Sequence, residues 1–199
     1  MKTILSLFDY SGTWSEPYRE AGYKVLQYDL KFGPGNDILT LDFNQFKNQN
    51  VVGILAAPPC THFTKASSLN WAFYDKAGLT NISIELVKRV LYAVKLLYPK
   101  FWAIENPPGR IEKLIPEMRN LKLLSFYPYE FGTPTYKLTN LYGNFNPFLF
   151  RNFVKPIYKI KAGKNELDFL KLHKPGYCRG SRRSVTPTGF AQSFFNSNH

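Results

Sequence analysis

Cysteine is scarce in this sequence, whose 199 residues include only Cys60 and Cys178. Two thiols cannot build the several bridges of a disulfide framework, and they fall short of the ligand set of a structural zinc site. The composition therefore predicts a reduced, metal-free protein in which a cysteine is available as a free thiol.

Long hydrophobic runs are also missing, since no stretch of about 18 consecutive apolar residues occurs. The apolar run at the N-terminus meets Asp9 too early for the hydrophobic region of a signal peptide. The residues are nevertheless 44% hydrophobic and 17% aromatic, which is typical of a globular domain. We expect a compact cytoplasmic monomer without a membrane segment.

Acidic residues are few, and the excess of positive charge is focused. The net charge is +12, and residues 151–183 hold ten Lys and Arg against two acids. The first 150 residues hold sixteen Lys and Arg against twelve acids. A focused basic segment indicates a polyanionic partner, with nucleic acid favoured over a membrane surface. The alternative is a lysine-rich surface that is merely solvated.

Short apolar runs alternate with helical patterns along the first 145 residues. Apolar residues at helical spacing predict a helix over 82–98, which Pro99 ends. A strand–helix–strand alternation of this kind predicts an α/β domain with a largely parallel, doubly wound sheet. The predicted strands are 3–9, 24–29, 51–57, 101–106 and 138–145.

Residues capable of chemistry follow four of these runs. They are the stretches "FDYSG", "PPC" and "ENPP", together with Asp29. Because ligands of open parallel sheets bind beyond the carboxyl ends of the strands, we expect these residues to meet at one edge.

Together these stretches resemble motifs of the cytosine-C5 DNA methyltransferase family. "LFDYSGTWSEPYREAGY" resembles the family's glycine-rich first motif, "APPCTHFT" its Pro-Cys motif, and "IENPPGR" its Glu-Asn-Val motif. "TPTYKLT" and "RRSVTPTG" resemble its Gln-x-Arg-x-Arg and Arg-x-Leu-Thr-Pro motifs. The resemblance implies a Rossmann-like fold and a compact, phage-like enzyme of a bacterial or phage-infected cell.

The resemblance also implies S-adenosyl-L-methionine as the cofactor. The turn after the first strand departs from the family pattern, because Tyr10 and Thr13 stand where the family has glycines. A modified derivative of the cofactor is therefore an alternative donor. The residues implied to bind the cofactor are Phe8, Asp9, Ser11, Gly12, Thr13, Asp29, Leu30, Asp37, Ile38 and Pro58.

Two residues of this set, Asp29 and Asp9, can also be interpreted from physical chemistry without the resemblance. A carboxylate after the second strand, here Asp29, can accept hydrogen bonds from both ribose hydroxyls. Asp9 either binds a ligand or caps the helix that follows it. By resemblance, Phe8 would pack on the adenine, and Asp37 with Ile38 would flank it.

The residues implied for catalysis are Cys60, Glu105, Asn106 and Lys137. C5 of cytosine is a poor nucleophile until a thiolate adds at C6, which is the role implied for Cys60. An acid at N3, here Glu105, stabilises the charge that develops in this adduct. Lys137 and two threonines replace the basic motif of the family, which leaves one cation.

Three regions follow from this interpretation. Residues 1–145 form a catalytic, cofactor-binding domain, residues 146–182 a reduced basic target-recognition segment, and residues 183–199 a segment that returns to the catalytic domain. We expect double-stranded DNA with a flipped cytosine as the partner, read with relaxed or short specificity. Candidate DNA contacts are His62, Lys65, Arg179, Arg182 and Arg183. His62 could instead activate the thiol, and Cys178 is expected to have no catalytic role.

Other functions remain open at the level of sequence. The same chemistry could act on RNA or on a free cytidine nucleotide. "NPPG" is similar to a motif of exocyclic-amino methyltransferases, although Gly109 stands in place of the aromatic residue. A thymidylate-synthase-like enzyme also uses a Pro-Cys pair, but the N-terminal strand–glycine–helix pattern disfavours that fold. A nucleic-acid-binding module without catalysis is the last alternative.

Overall fold

The computed structural model describes residues 1–156 and 185–199, and a six-stranded sheet forms the centre of the fold. The strands are β1 Thr3–Leu7, β2 Lys24–Tyr28, β3 Val51–Ala56, β4 Phe101–Asn106, β5 Lys122–Phe126 and β6 Thr139–Asn144. The helices are α1 Glu16–Glu20, α2 Trp71–Lys76, α3 Leu79–Leu97, α4 Ile111–Leu114 and α5 Thr188–Ser197.

The sheet has the order β2-β1-β3-β4-β6-β5. β1 pairs in parallel with β2 and β3, and β3 pairs in parallel with β4. β6 is antiparallel to both of its neighbours, β4 and β5. The predicted α/β class with a largely parallel sheet is confirmed, and the reversed β6 is a feature that the sequence pattern does not predict.

The central strands are buried because helices cover both faces of the sheet. β1 and β3 are buried along their whole length, which explains their nearly continuous apolar sequences. On one face α3 packs Val87, Val90 and Ala93 against the sheet. On the other face α1 and α5 contribute Tyr18, Phe190 and Phe194. The sheet is therefore doubly wound, as predicted.

The edge strands are less regular. β5 has exposed residues at Lys122, Leu123 and Ser125, so its sequence lacks the apolar signal of a central strand. The sequence pattern predicts neither β5 nor helix α2. The predicted strands at 3–9, 24–29, 51–57, 101–106 and 138–145 all correspond to strands of the sheet.

The topology brings several loops to one edge. The carboxyl ends of β1 to β4 lie there because these strands are parallel. The start of β6 lies there as well, because Asn140 of the antiparallel β6 pairs with Asn106 at the end of β4. None of the helices in the described ranges has the length and apolar character needed to traverse a lipid bilayer.

Candidate active-site cleft

A cleft of about 720 Å³, including its open mouth, lies at this edge. Three of the four predicted catalytic residues line it, namely Cys60, Glu105 and Lys137. Five of the predicted cofactor residues do so as well: Phe8, Asp9, Ser11, Asp29 and Pro58.

Cys60 lies on a tight turn that follows β3 and its two prolines. The Cys60 carbonyl accepts hydrogen bonds from the backbone N–H groups of Phe63 and Thr64, each at 2.9 Å. Burial raises the pKa of the Cys60 thiol; the positive charge of Lys137 acts in the opposite direction, and the Glu105 carboxylate adds to the rise. The turn therefore presents a thiol that is protonated at neutral pH.

Glu105 and Lys137 form an ion pair beside this thiol. The Lys137 Nζ atom lies 3.6 Å from Glu105 Oε1, and both side chains are mostly buried. Glu105 is on β4, whereas Lys137 precedes β6, so the antiparallel pairing of these strands brings the two side chains together. The cleft thus holds a thiol, an acid and an ammonium group next to one another.

Asn106 is close to this group but does not line the cleft. Its side chain is fully buried, and its Nδ2 donates a hydrogen bond to the Pro58 carbonyl at 3.3 Å. Its Oδ1 atom is buried without a hydrogen-bond partner in the described part of the chain. This geometry ties the end of β4 to the prolines that precede Cys60.

Asp9 organises the loop between β1 and α1. Its buried carboxylate accepts hydrogen bonds from the hydroxyls of Ser6 at 2.8 Å and Ser15 at 3.0 Å. It also accepts from the Gly12 N–H at 2.9 Å and the Ser11 hydroxyl at 3.2 Å. These contacts hold the loop together, and the residue at the N-cap of α1 is Ser15 rather than Asp9.

Gly12 lies in this same loop and has a conformational reason to be glycine. Its φ is +70°, a value that side-chain-bearing residues rarely adopt, and a Cβ there would lie 3.3 Å from the Gln27 amide. Gly12 and Thr13 are not among the residues that line the cleft, whereas the neighbouring Tyr10 and Trp14 are.

The remaining predicted cofactor residues occupy different environments. Asp29 lines the cleft and accepts a hydrogen bond from the Lys31 N–H at 2.9 Å. Leu30 is exposed, and Ile38 is buried in the core beneath α3. Asp37 caps a turn by accepting from the Leu39 N–H at 3.0 Å. The cleft-lining residues do not include Leu30, Asp37 or Ile38.

The predicted nucleic-acid contacts are only partly described. His62 is held internally, because its Nδ1 lies 2.6 Å from the Ser83 hydroxyl and its ring packs on Tyr74. Burial, and then the charge of Arg110, lowers the His62 pKa. Lys65 is exposed beside the Cys60 turn. Arg179, Arg182, Arg183 and Cys178 lie outside the described residues.

Some cleft residues carried too weak a sequence signal to be predicted. The Tyr10 ring packs on Phe32 at 5.1 Å, and Lys31 Nζ lies 5.0 Å from the Tyr10 ring centroid. Trp14 lines the cleft with a buried indole N–H that has no hydrogen-bond partner in the described residues. Aromatic residues are so abundant here that core packing is the better expectation for each one singly.

Neither a protein-family model nor a curated protein matches this sequence. Solved structures do match. One is a protein encoded within an Escherichia coli prophage and assigned as a DNA modification methyltransferase, with 17% identity and a TM-score of 0.53 over 82% of this chain. Another is the Entamoeba histolytica methyltransferase EhMeth, with 14% identity and a TM-score of 0.51 over 81% of this chain.

A third match is the Schizosaccharomyces pombe Dnmt2 methyltransferase, with 16% identity and a TM-score of 0.45 over 72% of this chain and 50% of that chain. The chain spans 56% of the prophage protein and 58% of the Entamoeba protein. The likeness to those two defines the class of the fold: an α/β, Rossmann-like methyltransferase fold, as predicted.

Proposed function

We propose that this protein is an S-adenosylmethionine-dependent methyltransferase that modifies C5 of cytosine in DNA. The observation that carries the proposal is the convergence of Cys60, Glu105 and Lys137 in one cleft. A thiol and an acid in contact with the same cavity are the two groups that addition to C6 of cytosine requires.

Other residues that line the cleft support the proposed cofactor. Phe8 and Pro58 offer apolar surface suited to an adenine ring, and the Asp29 carboxylate is suited to the ribose hydroxyls. When bound, the cofactor supplies the methyl group. The orphaned indole N–H of Trp14 adds a buried donor at a residue that lines the same cavity.

The chain's own residues provide the remaining chemistry. The Glu105 carboxylate takes the proton of the Cys60 thiol, the thiolate forms a bond to C6, and Glu105 delivers that proton to N3. Electron density then shifts to C5, which takes the methyl group. Water at the mouth of the cleft then takes the C5 proton and the Cys60 thiolate is expelled. N3 returns its proton to Glu105, which passes it back to Cys60, so the aromatic base and the enzyme are both restored.

Lys137 has two roles in this scheme. Its ammonium group favours the thiolate form of Cys60, as the direction of its effect on the thiol pKa indicates. It also lies 3.6 Å from the Glu105 carboxyl, where it stabilises the negative charge left after proton donation to N3. One cation thus serves both of the reacting side chains.

The net charge of +12 supports DNA as the partner, and a base inside a duplex must be flipped to reach Cys60. The proposed specificity is relaxed or short. RNA, a free cytidine nucleotide and a modified methyl donor are alternatives for the same chemistry, and product analysis distinguishes them.

The test is methyl transfer by purified protein to DNA, RNA and cytidine nucleotides, with nucleosides analysed by mass spectrometry. We expect 5-methylcytosine in DNA from wild-type protein and none from Cys60→Ala, while Cys60→Ala still binds labelled cofactor. Cys178→Ser is the matched control and should retain activity. Full activity of Cys60→Ala would refute the proposal.

A further inference from the structure

Arg110 forms a dense set of contacts that the proposed chemistry does not account for. Its side chain is only 10% exposed. Its guanidinium makes a bidentate pair with the Asp75 carboxylate, with both N–O distances 2.7 Å, and donates to the Thr80 hydroxyl at 3.0 Å. It also lies 4.7 Å from the centroid of the Trp71 ring.

The remaining guanidinium nitrogen contacts the turn that carries the thiol. Arg110 Nε donates to the His62 carbonyl at 2.9 Å, two residues after Cys60. Trp71 and Asp75 belong to α2 and Thr80 belongs to α3, so these residues fix the direction in which this donor points. Arg110 therefore connects the Cys60 turn to two helices at once.

The backbone reinforces this connection. The Arg110 N–H donates to the Phe63 carbonyl at 2.9 Å, and the Lys65 N–H donates to the Pro108 carbonyl at 3.2 Å. Thr64 and Gly109 form an isolated β-bridge between these contacts. The loop that follows Glu105 and the turn that follows Cys60 are thereby joined along several residues.

We infer that Arg110 is a positioning residue that fixes the Cys60 turn relative to Glu105. Its effect on catalysis rests on the proposed function, whereas its effect on the thiol does not. A guanidinium has the planar arrangement of donors needed to satisfy a carboxylate, a hydroxyl and a carbonyl together, and an ammonium group does not. Arg110→Lys should therefore fail to replace it.

The ion pair between Arg110 and Asp75 is present over the pH range of ordinary activity assays. The hydrogen bonds from Arg110, and then from Thr80, lower the Asp75 pKa to about 2. The stabilising effect of the ionised carboxylate is thus present above the pKa of an unfolded aspartate and is lost only as the pH falls toward 2. Between about pH 6 and 9, the range in which ordinary imidazoles and thiols titrate, Asp75 stays ionised. A change in activity over this range is therefore not caused by loss of the Arg110–Asp75 ion pair.

The decisive experiment is chemical rescue of Arg110→Ala. We expect kcat for methyl transfer to fall by about a hundredfold, the effect of a small misplacement of a reacting group, with KM for DNA and cofactor changed by less than about threefold. Guanidinium added at a few millimolar, about a thousandfold below denaturing concentrations, should restore kcat because it refills the site between Asp75, Thr80 and the His62 carbonyl. A globally weakened fold would not recover, because guanidinium is a denaturant.

Arg119→Ala is the matched control. Arg119 is an exposed arginine whose Nε donates to the Glu112 carbonyl at 3.1 Å, away from the Cys60 turn. Its kcat should match wild type with or without guanidinium. Asp75→Asn, which keeps the shape of the acceptor and removes its charge, should give an intermediate loss, and it serves if Arg110→Ala does not fold.

The rate of Cys60 alkylation by iodoacetamide, measured in a Cys178→Ser background, tests the inference independently of methyl transfer. Alkylation should be faster in Arg110→Ala than in the protein that retains Arg110, because the Cys60 turn is no longer held in place. Added guanidinium should slow it again. Unchanged kcat and alkylation in Arg110→Ala, or a loss that neither guanidinium nor methylguanidinium reverses, would overturn the inference. If wild-type protein methylates no substrate, the proposed function fails and alkylation alone decides the role of Arg110.

Discussion

At the scale of single residues, burial and two neighbouring charges together set the pKa of the Cys60 thiol. Burial and the Glu105 carboxylate raise the Cys60 pKa, and the ammonium group of Lys137 opposes them. The protonated thiol reacts poorly with electrophiles in solution at neutral pH. In the proposed mechanism the thiolate forms when a substrate base occupies the cleft, and in the free protein it forms as the pH rises.

This balance predicts the pH dependence of Cys60 alkylation in Cys178→Ser protein. The rate should rise with pH, with a midpoint above that of an exposed cysteine, because the thiol pKa is raised. Lys137→Gln should move the midpoint further up, since a cation that favours the thiolate is lost. Glu105→Gln should move it down. A midpoint near neutral pH in the parent protein would contradict this assignment of charges.

At the scale of elements, two loops determine the geometry of the cleft. The turn after β3 carries Cys60, and the loop after β4 follows Glu105. Gly109 marks the point of closest approach, because a Cβ there would overlap the Phe63 carbonyl oxygen. The absence of a side chain at Gly109 is what lets the two loops join.

Gly109→Ala should therefore force the loops apart. We expect the rate of methyl transfer to fall by about ten- to a hundredfold, since small displacements of reacting groups have effects of that size. Gly35→Ala is the matched control, because no atom lies within 4 Å of a Cβ built at Gly35. Steady-state kinetics of both variants measure the effect, and equal activities would show that the close approach is unimportant.

The meeting of Cys60 with Glu105 could be predicted from the sequence for a physical reason. Both residues follow buried apolar runs, and parallel strands bring their carboxyl ends to one edge. The contacts of Arg110 could not be predicted in this way. Asp75 lies 35 residues earlier in the chain, and no local pattern indicates that the two side chains meet.

Other limits of prediction have similar causes. The reversed direction of β6 depends on pairing with β4 and β5, which a strand's own sequence does not encode. Ile38 has a turn-rich neighbourhood that suits a ligand contact, yet packing beneath α3 buries it. The indole of Trp14 could be assigned either to the core or to the cleft, and it contacts both.

At the scale of the whole molecule, α5 closes one face of the sheet. Phe190 stacks on Phe126 of β5 with ring centroids 4.4 Å apart, and Phe194 meets the Trp14 ring edge-on at 5.6 Å. The Tyr18 hydroxyl donates to the Asn198 carbonyl at 2.6 Å, and burial raises the Tyr18 pKa. A distant part of the chain thus completes the core that lies behind the loop between β1 and α1.

Phe190→Ala should accordingly destabilise the fold by about 3–5 kcal/mol, the usual cost of truncating a buried phenylalanine. Phe148→Ala is the matched control, because Phe148 is 87% exposed, whereas Phe190 is 1% exposed. Its free energy of unfolding should change by less than about 0.5 kcal/mol. Urea denaturation of both variants measures the difference, and equal stabilities would contradict the packing of α5.

The charge of the whole molecule predicts how the proposed binding to DNA depends on salt. If the excess of Lys and Arg contacts phosphates, the affinity for duplex DNA should fall by at least about tenfold between about 50 and 200 mM salt, through counterion release. Fluorescence anisotropy with a labelled duplex measures this dependence. An affinity independent of salt would contradict the phosphate contacts proposed for the basic segment.

The central claim is that Cys60 forms a bond to C6 of cytosine in DNA. Its most direct test uses DNA in which fluorine replaces hydrogen at C5, because the adduct cannot then lose a C5 proton and should accumulate. Mass spectrometry of the digested complex should find the nucleotide attached to the peptide that contains Cys60, with one added methyl group, and no adduct in Cys60→Ala. Methylation of ordinary DNA without such an adduct, or an adduct at another residue, would contradict the account.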